Sequence, residues 1–137
     1  MSGGAIHRRL KPASNRKTRH LKHLLILNDP PYGTERSYNG LRLAIALPKH
    51  DPEAEITVFL MADAVVCAKA GQKTPDGFYN LERMLGRVLS AKGRVLLCGT
   101  CMDARGLTQD EIIPGAARST MDELAQVSIA ADKVLVF

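Results

Sequence analysis

Two thiols stand three residues apart in Cys98-Gly99-Thr100-Cys101-Met102-Asp103-Ala104-Arg105-Gly106. A C-x-x-C pair supports thiol–disulfide exchange, sulfur transfer through a thiolate, or part of a metal site. The first two need a thiolate, which a nearby cation or helix N-terminus favours. Arg105 supplies a cation within the same stretch. Cys98 also reads as a small buried hydrophobe at a strand end, a common fate for free cysteine. Cys101 reads either as a thiol that resolves chemistry on Cys98 or as packing of the turn. One C-x-x-C offers two ligands, whereas a closed zinc site takes four. Cys67 lies in an apolar stretch and reads as core, and three of the four histidines lie in or beside the N-terminal segment. No metal site is therefore assigned.

The elements that must position these thiols follow from hydropathy. Val95-Leu96-Leu97 reads as a buried strand that delivers Cys98 into a loop. His23–Asn28 is a similar run, stopped by Asp29-Pro30-Pro31. Thr34 is placed to cap a helix marked by Tyr38, Leu41 and Ile45 and stopped at Pro48. Glu55–Met61 is a second strand, rich in β-branched residues. Asp63 reads as the cap of a helix through Lys69 that ends at Gly71. Lys73–Gly77 is turn chemistry and a candidate flap. Phe78, Leu81, Leu85 and Val88 mark a third helix ending near Gly93. Thr108–Glu111 starts a helix that Pro114-Gly115 cuts short, and Ala116-Ala117 reads as a brief strand. Ser119 with Asp122 resembles a capping box for a helix carrying Met121, Leu124 and Val127. Lys133–Phe137 is the last strand, with its end in the sheet or against another subunit. Strand and helix alternate throughout, which predicts right-handed βαβ units and a parallel sheet covered on both faces.

The formal net charge of +5 belongs to one segment. Residues 1–23 hold seven Lys/Arg and no acid; the remainder has twelve basic and fourteen acidic residues and sits near −2. Residues 1–22 thus read as a basic arm, and 23–137 as a single domain. The arm fits a solvated tail, a start-site extension, a transit-like segment, or a contact to nucleic acid or anionic lipid. No apolar stretch approaches the roughly 18 residues that span a bilayer, so no membrane role is expected. Trp is absent and aromatics are 4%, which argues against a nucleic-acid stacking surface. An odd count of three cysteines and no secretory leader point to a reduced, cytoplasmic setting.

Leu25–Gly33, Ser37–Leu47, Phe59–Val65, Gly71-Gln72-Lys73, Cys98–Gly106 and Ala131–Phe137 together resemble the DsrE/DsrF-like sulfur-relay family, in its YchN-like branch. The resemblance runs from about Lys22 to the C-terminus and leaves the arm without a counterpart. It implies a three-layer flavodoxin-like fold with a largely parallel sheet of about five strands. It also implies a homo-oligomer, a trimer or hexamer. In relay members the carrier cysteine lies eight residues before the Gly of an Arg-Gly pair, which places Cys98 on the carrier and Arg105-Gly106 on the pair. The implied function is a persulfide carrier that serves sulfur donor and acceptor proteins. A thiol–disulfide protein and a non-catalytic oligomeric binding module are the alternatives.

Supporting positions follow from the same strand ends. Asn28, Asp29 and Asp63 end other strands and are expected to share the cleft, although Asp63 also reads as a plain cap. Asp103 and Arg105 are placed to pair with each other. Tyr32, Gly33 and Gly99 suit a small-ligand pocket shaped beside Thr100 and Gly106. No Gly-rich phosphate fingerprint occurs, so no nucleotide, flavin or other cofactor is expected.

Overall fold

The computed structural model describes residues 20–76 and 78–137; the basic arm expected over residues 1–22 lies outside them as far as residue 19. Five strands form one parallel sheet in the order β4-β3-β2-β1-β5. They are β1 (Lys22–Leu27), β2 (Glu55–Leu60), β3 (Arg94–Cys98), β4 (Ala117–Ser119) and β5 (Lys133–Val136). β1 is central and pairs Lys22 with Glu55 through Leu27 with Leu60 on one side. On the other side it pairs His23 with Lys133 through Ile26 with Val136. Continuous apolar strands form because an all-parallel sheet is covered on both faces. Leu24, Leu25, Val58, Phe59, Leu60 and Leu97 are accordingly fully buried. Truncating any of these leucines to Ala would cost about 2–5 kcal/mol.

Four helices connect the strands: α1 (Arg36–His50), α2 (Leu81–Ser90), α3 (Gly99–Ala104) and α4 (Met121–Ala130). Steps β1 to β2 to β3 proceed in one direction, so right-handed crossovers put α1 and α2 side by side on one face. The return from β4 to β5 runs the opposite way and puts α4 on the other face. Helix α1 sits close on the sheet because residue 40 is Gly; a Cβ there would lie 2.5 Å from a Leu27 methyl and 3.1 Å from the Phe137 ring.

Several local expectations shift. Pro48 lies inside α1 instead of ending it, and Glu35, not Thr34, is the cap position. The segment after Asp63 is a 3₁₀ helix, Ala62–Ala68, with Met61 at its cap and no capping side chain. Helix α2 begins at Leu81, capped by Asn80 accepting from the Arg83 N–H at 3.1 Å. Phe78 therefore precedes the helix and is 68% exposed. Helix α4 is capped by Thr120, one residue beyond Ser119. Strand β1 starts at Lys22, whose N–H donates to the Asp132 carboxylate, so the ordered sheet takes in the last residue read as arm. No helix among the described residues is long and apolar enough to cross a membrane.

Candidate functional site

Cys98 is the last residue of β3 and the cap of α3 at once. The stretch expected as a loop after the strand is a helix that starts at Gly99. The strand fixes the Cys98 backbone through its pairing with Ser119 of β4. The helix then turns its first amides back on the sulfur. The Cys101 N–H donates to Cys98 Sγ at 3.4 Å, and Thr100 Oγ1 lies 3.2 Å from the same sulfur. Oriented N–H groups of this kind stabilise a thiolate as they would any anion at a helix start.

Burial by itself would raise the Cys98 pKa. Hydrogen bonds from the Cys101 thiol, the Thr100 hydroxyl and the two backbone amides outweigh it, and the thiol titrates below its ordinary value. Cys101 moves the opposite way. Burial raises it first, and its own bond to Cys98 raises it further, so it stays protonated. The pair thus divides into a thiol that ionises more readily than usual and one that ionises less readily.

Cys101 is held from a second side. The Ala62 N–H donates to Cys101 Sγ at 3.2 Å. Ala62 adopts φ 50°, the left-handed region that costs a non-glycine residue about 1–2 kcal/mol. The strain falls at the residue that aims its amide at the thiol, a usual place for it.

Two ion pairs clamp α3. Arg105 Nε and Nη2 donate to Asp63 Oδ1 at 2.9 and 2.8 Å, and Nη1 donates to the Cys101 carbonyl at 3.0 Å. This ties the end of α3 to the 3₁₀ segment. Arg118 of β4 makes a two-pronged contact with Asp103, at 2.7 and 2.8 Å. Its guanidinium holds the Asp103 carboxyl below the usual carboxylate range. The Arg118 side chain passes over Gly99, where a Cβ would come within 2.8 Å of its guanidinium carbon. A larger residue there would push the Arg118 side chain aside. Gly106 ends α3 with φ 63°, and the Leu107 N–H returns to the Met102 carbonyl.

The expected site residues thus separate into two groups. Cys98, Gly99, Thr100, Cys101, Asp103, Arg105, Gly106 and Asp63 come together. Asp63 is a salt-bridge partner and not a cap, and Asp103 and Arg105 pair with Arg118 and Asp63, not with each other. Asn28, Tyr32 and Gly33 bond elsewhere. Asn28 Nδ2 donates to the Phe137 carbonyl at 3.1 Å, which joins β1 to β5. Tyr32 donates to Gln72 Oε1 at 2.6 Å and accepts from the Leu81 N–H. Gly33 serves a turn at φ 98°. Asp29 binds Thr34 and the Ser37 hydroxyl through its carboxylate and carbonyl. Arg118 and Ala62 escaped the sequence reading: an arginine in a three-residue edge strand and an alanine give no local signal. Among the described residues, no three His, Cys, Asp or Glu gather as metal ligands.

Known proteins share this architecture. The model of the DsrE/DsrF-like family matches residues 22–137. Protein YchN of Escherichia coli K12 is 42% identical over 116 residues, covering 85% of this chain and 98% of its own. An uncharacterized protein of Methanopyrus kandleri, MK0008, is 34% identical over 114 residues, covering 82% of this chain and 91% of its own. The crystal structure of E. coli YchN superposes with a TM-score of 0.81, over 85% of this chain and 99% of that one. Protein MTH1491 of Methanobacterium thermoautotrophicum, at 12% identity and a TM-score of 0.63 over 86% of this chain and 99% of that one, shares the fold. The parallel five-stranded flavodoxin-like sheet and the match over residues 22–137 agree, and the chain belongs to the DsrE/DsrF-like family.

Proposed function

We propose that this chain is a cytoplasmic sulfur carrier in which Cys98 holds sulfane sulfur as a persulfide. The observation that carries it is the Cys98 sulfur at the start of α3, met by the Cys101 amide at 3.4 Å and Thr100 at 3.2 Å. Linkage of the family to sulfur relay supports the same reading. The Cys98 thiolate attacks the terminal sulfur of a donor persulfide, R–S–SH. A new S–S bond forms, the donor's S–S bond breaks, and R–S⁻ leaves. An acceptor thiolate then takes the terminal sulfur from Cys98–S–SH and releases the Cys98 thiolate. No electrons are gained or lost overall. Arg105 and Arg118 hold the helix that aims the amides.

The assembly we infer is a closed homo-oligomer, a trimer or hexamer, built on the β5 edge. Ile129, Val134 and Val136 are 87, 44 and 65% exposed there, beside a strand edge that is unpaired among the described residues. Light scattering on the full chain at micromolar concentration tests this, and a monomer refutes it. The basic arm is taken to be dispensable for folding.

The Cys101 thiol within reach of Cys98 supports a second reading, a thiol–disulfide protein. Intact mass after exposure to a persulfide donor separates the two. A carrier gains one reductant-reversible sulfur, lost in Cys98→Ser and kept in Cys67→Ser. A wild type that forms only a Cys98–Cys101 disulfide establishes the redox reading instead.

A further inference from the structure

The outer face of α1 and α2 carries a feature that sulfur transfer at Cys98 does not use. Two cavities, of about 520 and 410 Å³, adjoin there and share Ile45, Lys49 and Arg87. They form one trough along both helices. Arg42 and Lys49 line one wall; Arg83 and Arg87 line the other. No carboxylate lines either cavity. None of the four cations has an ion pair among the described residues.

This is not the usual solvated helix surface, where acids at helical spacing neutralise the bases. The acid on α2, Glu82, is turned away to accept from the Gly71 and Gln72 amides at 3.2 and 2.8 Å. Arg83 and Arg87 stand one turn apart as a like-charge pair, an arrangement that costs stability. The trough also concentrates rings. Tyr38 and Tyr79 stack at 4.2 Å, Tyr32 lies 6.3 Å from Tyr79, and Arg42 covers Tyr38 at 5.5 Å. Tyr38, Phe78 and Tyr79, three of the six aromatic residues in the chain, line the trough, and Tyr32 stands beside Tyr79 outside it. Ile45, Met84 and Phe78 supply apolar contact between the rows of charge.

We propose that this trough docks an acidic, amphipathic segment of a partner protein. Its carboxylates would meet Arg42, Lys49, Arg83 and Arg87, and its apolar side chains Ile45, Met84 and Phe78, the mode of a helix laid in a groove. From Tyr38 to Lys49 α1 rises about 16 Å, enough for roughly three turns of a docked helix. Charge selects this occupant over the chain's own residues 1–23, which carry seven cations and no acid. The tyrosine faces are spent on one another and on Arg42, so they offer no free platform for bases. The exposed apolar residues of α4 and β5 that suit a second copy belong to a different part of the sheet.

The test uses the full chain and a fluorescein-labelled, thiol-free peptide of about twelve residues, three helical turns with Glu on one face and Leu and Phe on the other. Fluorescence anisotropy should show saturable binding that weakens with salt. The double variant Arg83→Glu, Arg87→Glu should weaken it by about tenfold or more, and Arg42→Ala with Lys49→Ala on the opposite wall by a smaller factor. Phe78→Ser should weaken it with the salt dependence unchanged. All five side chains are exposed, and circular dichroism confirms that each variant folds. Absence of saturable binding overturns the proposal. So does undiminished binding by the Arg83→Glu, Arg87→Glu variant, which would assign the peptide to the basic arm. Tighter binding of oligouridylate with the same sensitivity makes the trough an RNA groove. A changed oligomer size in the charge-reversed variant makes it an interface between copies. The probe carries no thiol, so none of these outcomes bears on sulfur loading at Cys98.

Discussion

Cys98 ends β3 and Cys67 follows the neighbouring strand β2, and neither shows more than a sliver of surface, at 6 and 0% exposure. Their surroundings separate them. Cys67 sits fully buried in the 3₁₀ segment, with a long contact of 3.9 Å to the Asp29 carbonyl and a hydrogen bond with the Ser37 hydroxyl. Burial pushes its thiol up to about 12. Cys98 pays a burial cost as well, but amide, hydroxyl and thiol donors converge on it and reverse the sign. Low exposure therefore does not silence a cysteine; burial that outweighs its donors, as at Cys67 despite the Ser37 hydroxyl, does.

The largest effect expected from this contrast is in alkylation. At neutral pH Cys98 should react with iodoacetamide about a hundredfold faster than Cys67, because so little of a thiol at about 12 is ionised. Peptide mapping after timed quenching measures it, and comparable rates would break the comparison. The pH dependence has opposite signs at the two sites. Cys98 labelling should plateau as pH rises through a value below the ordinary thiol range, whereas Cys67 should still be rising at the alkaline limit. In stability terms, the raised Cys67 pKa contributes at neutral pH and is lost as pH climbs from the ordinary range toward about 12. The lowered Cys98 pKa contributes above the ordinary value and is lost as pH falls through the folded one.

Stability should sharpen the contrast in reverse. Cys67→Ser puts a shorter, more polar side chain into a fully buried site, where the Asp29 carbonyl is 3.9 Å from the sulfur and Ser37 is the nearer partner, and should cost about 1–3 kcal/mol. Cys98→Ser keeps a cap that serine fills well and should cost under about 1 kcal/mol. Urea denaturation of both variants decides, and a larger loss at Cys98 would make it the structural thiol.

A smaller effect is expected at Arg118. Arg118→Gln removes the cation beside Gly99 and frees Asp103, so Cys98 alkylation at neutral pH should slow by about two- to fourfold. Smallest is Cys101→Ser. A hydroxyl still donates to Cys98, so the rate there should change by less than about threefold. A large loss would show that the Cys101 sulfur itself activates Cys98.

Much of this was readable from the chain. Apolar runs bounded by turn residues, such as Val95–Leu97 before Cys98, predict parallel strands because a sheet covered on both faces needs no alternation. The clustering of Cys98, Cys101 and Arg105-Gly106 was legible for a local reason: those residues share one strand end and one helix with its C-terminal turn. Helix starts were displaced where neighbouring residues competed for the cap, as Ser119 and Thr120 did. Pro48 misled because helix α1 continues through it to His50.

Tertiary structure alone decided which charges meet. Asp63, Arg105, Asp103 and Arg118 come from the 3₁₀ segment, α3 and β4, and their pairing depends on strand order, which no local pattern encodes. The same holds for Ala62, whose amide reaches Cys101 across 39 positions of sequence. Sequence determined that a thiol would stand at the end of a buried strand. The fold decided that it would stand among donors, because the polarity around a buried group is set by whatever the packing brings there and not by the residues beside it in the chain.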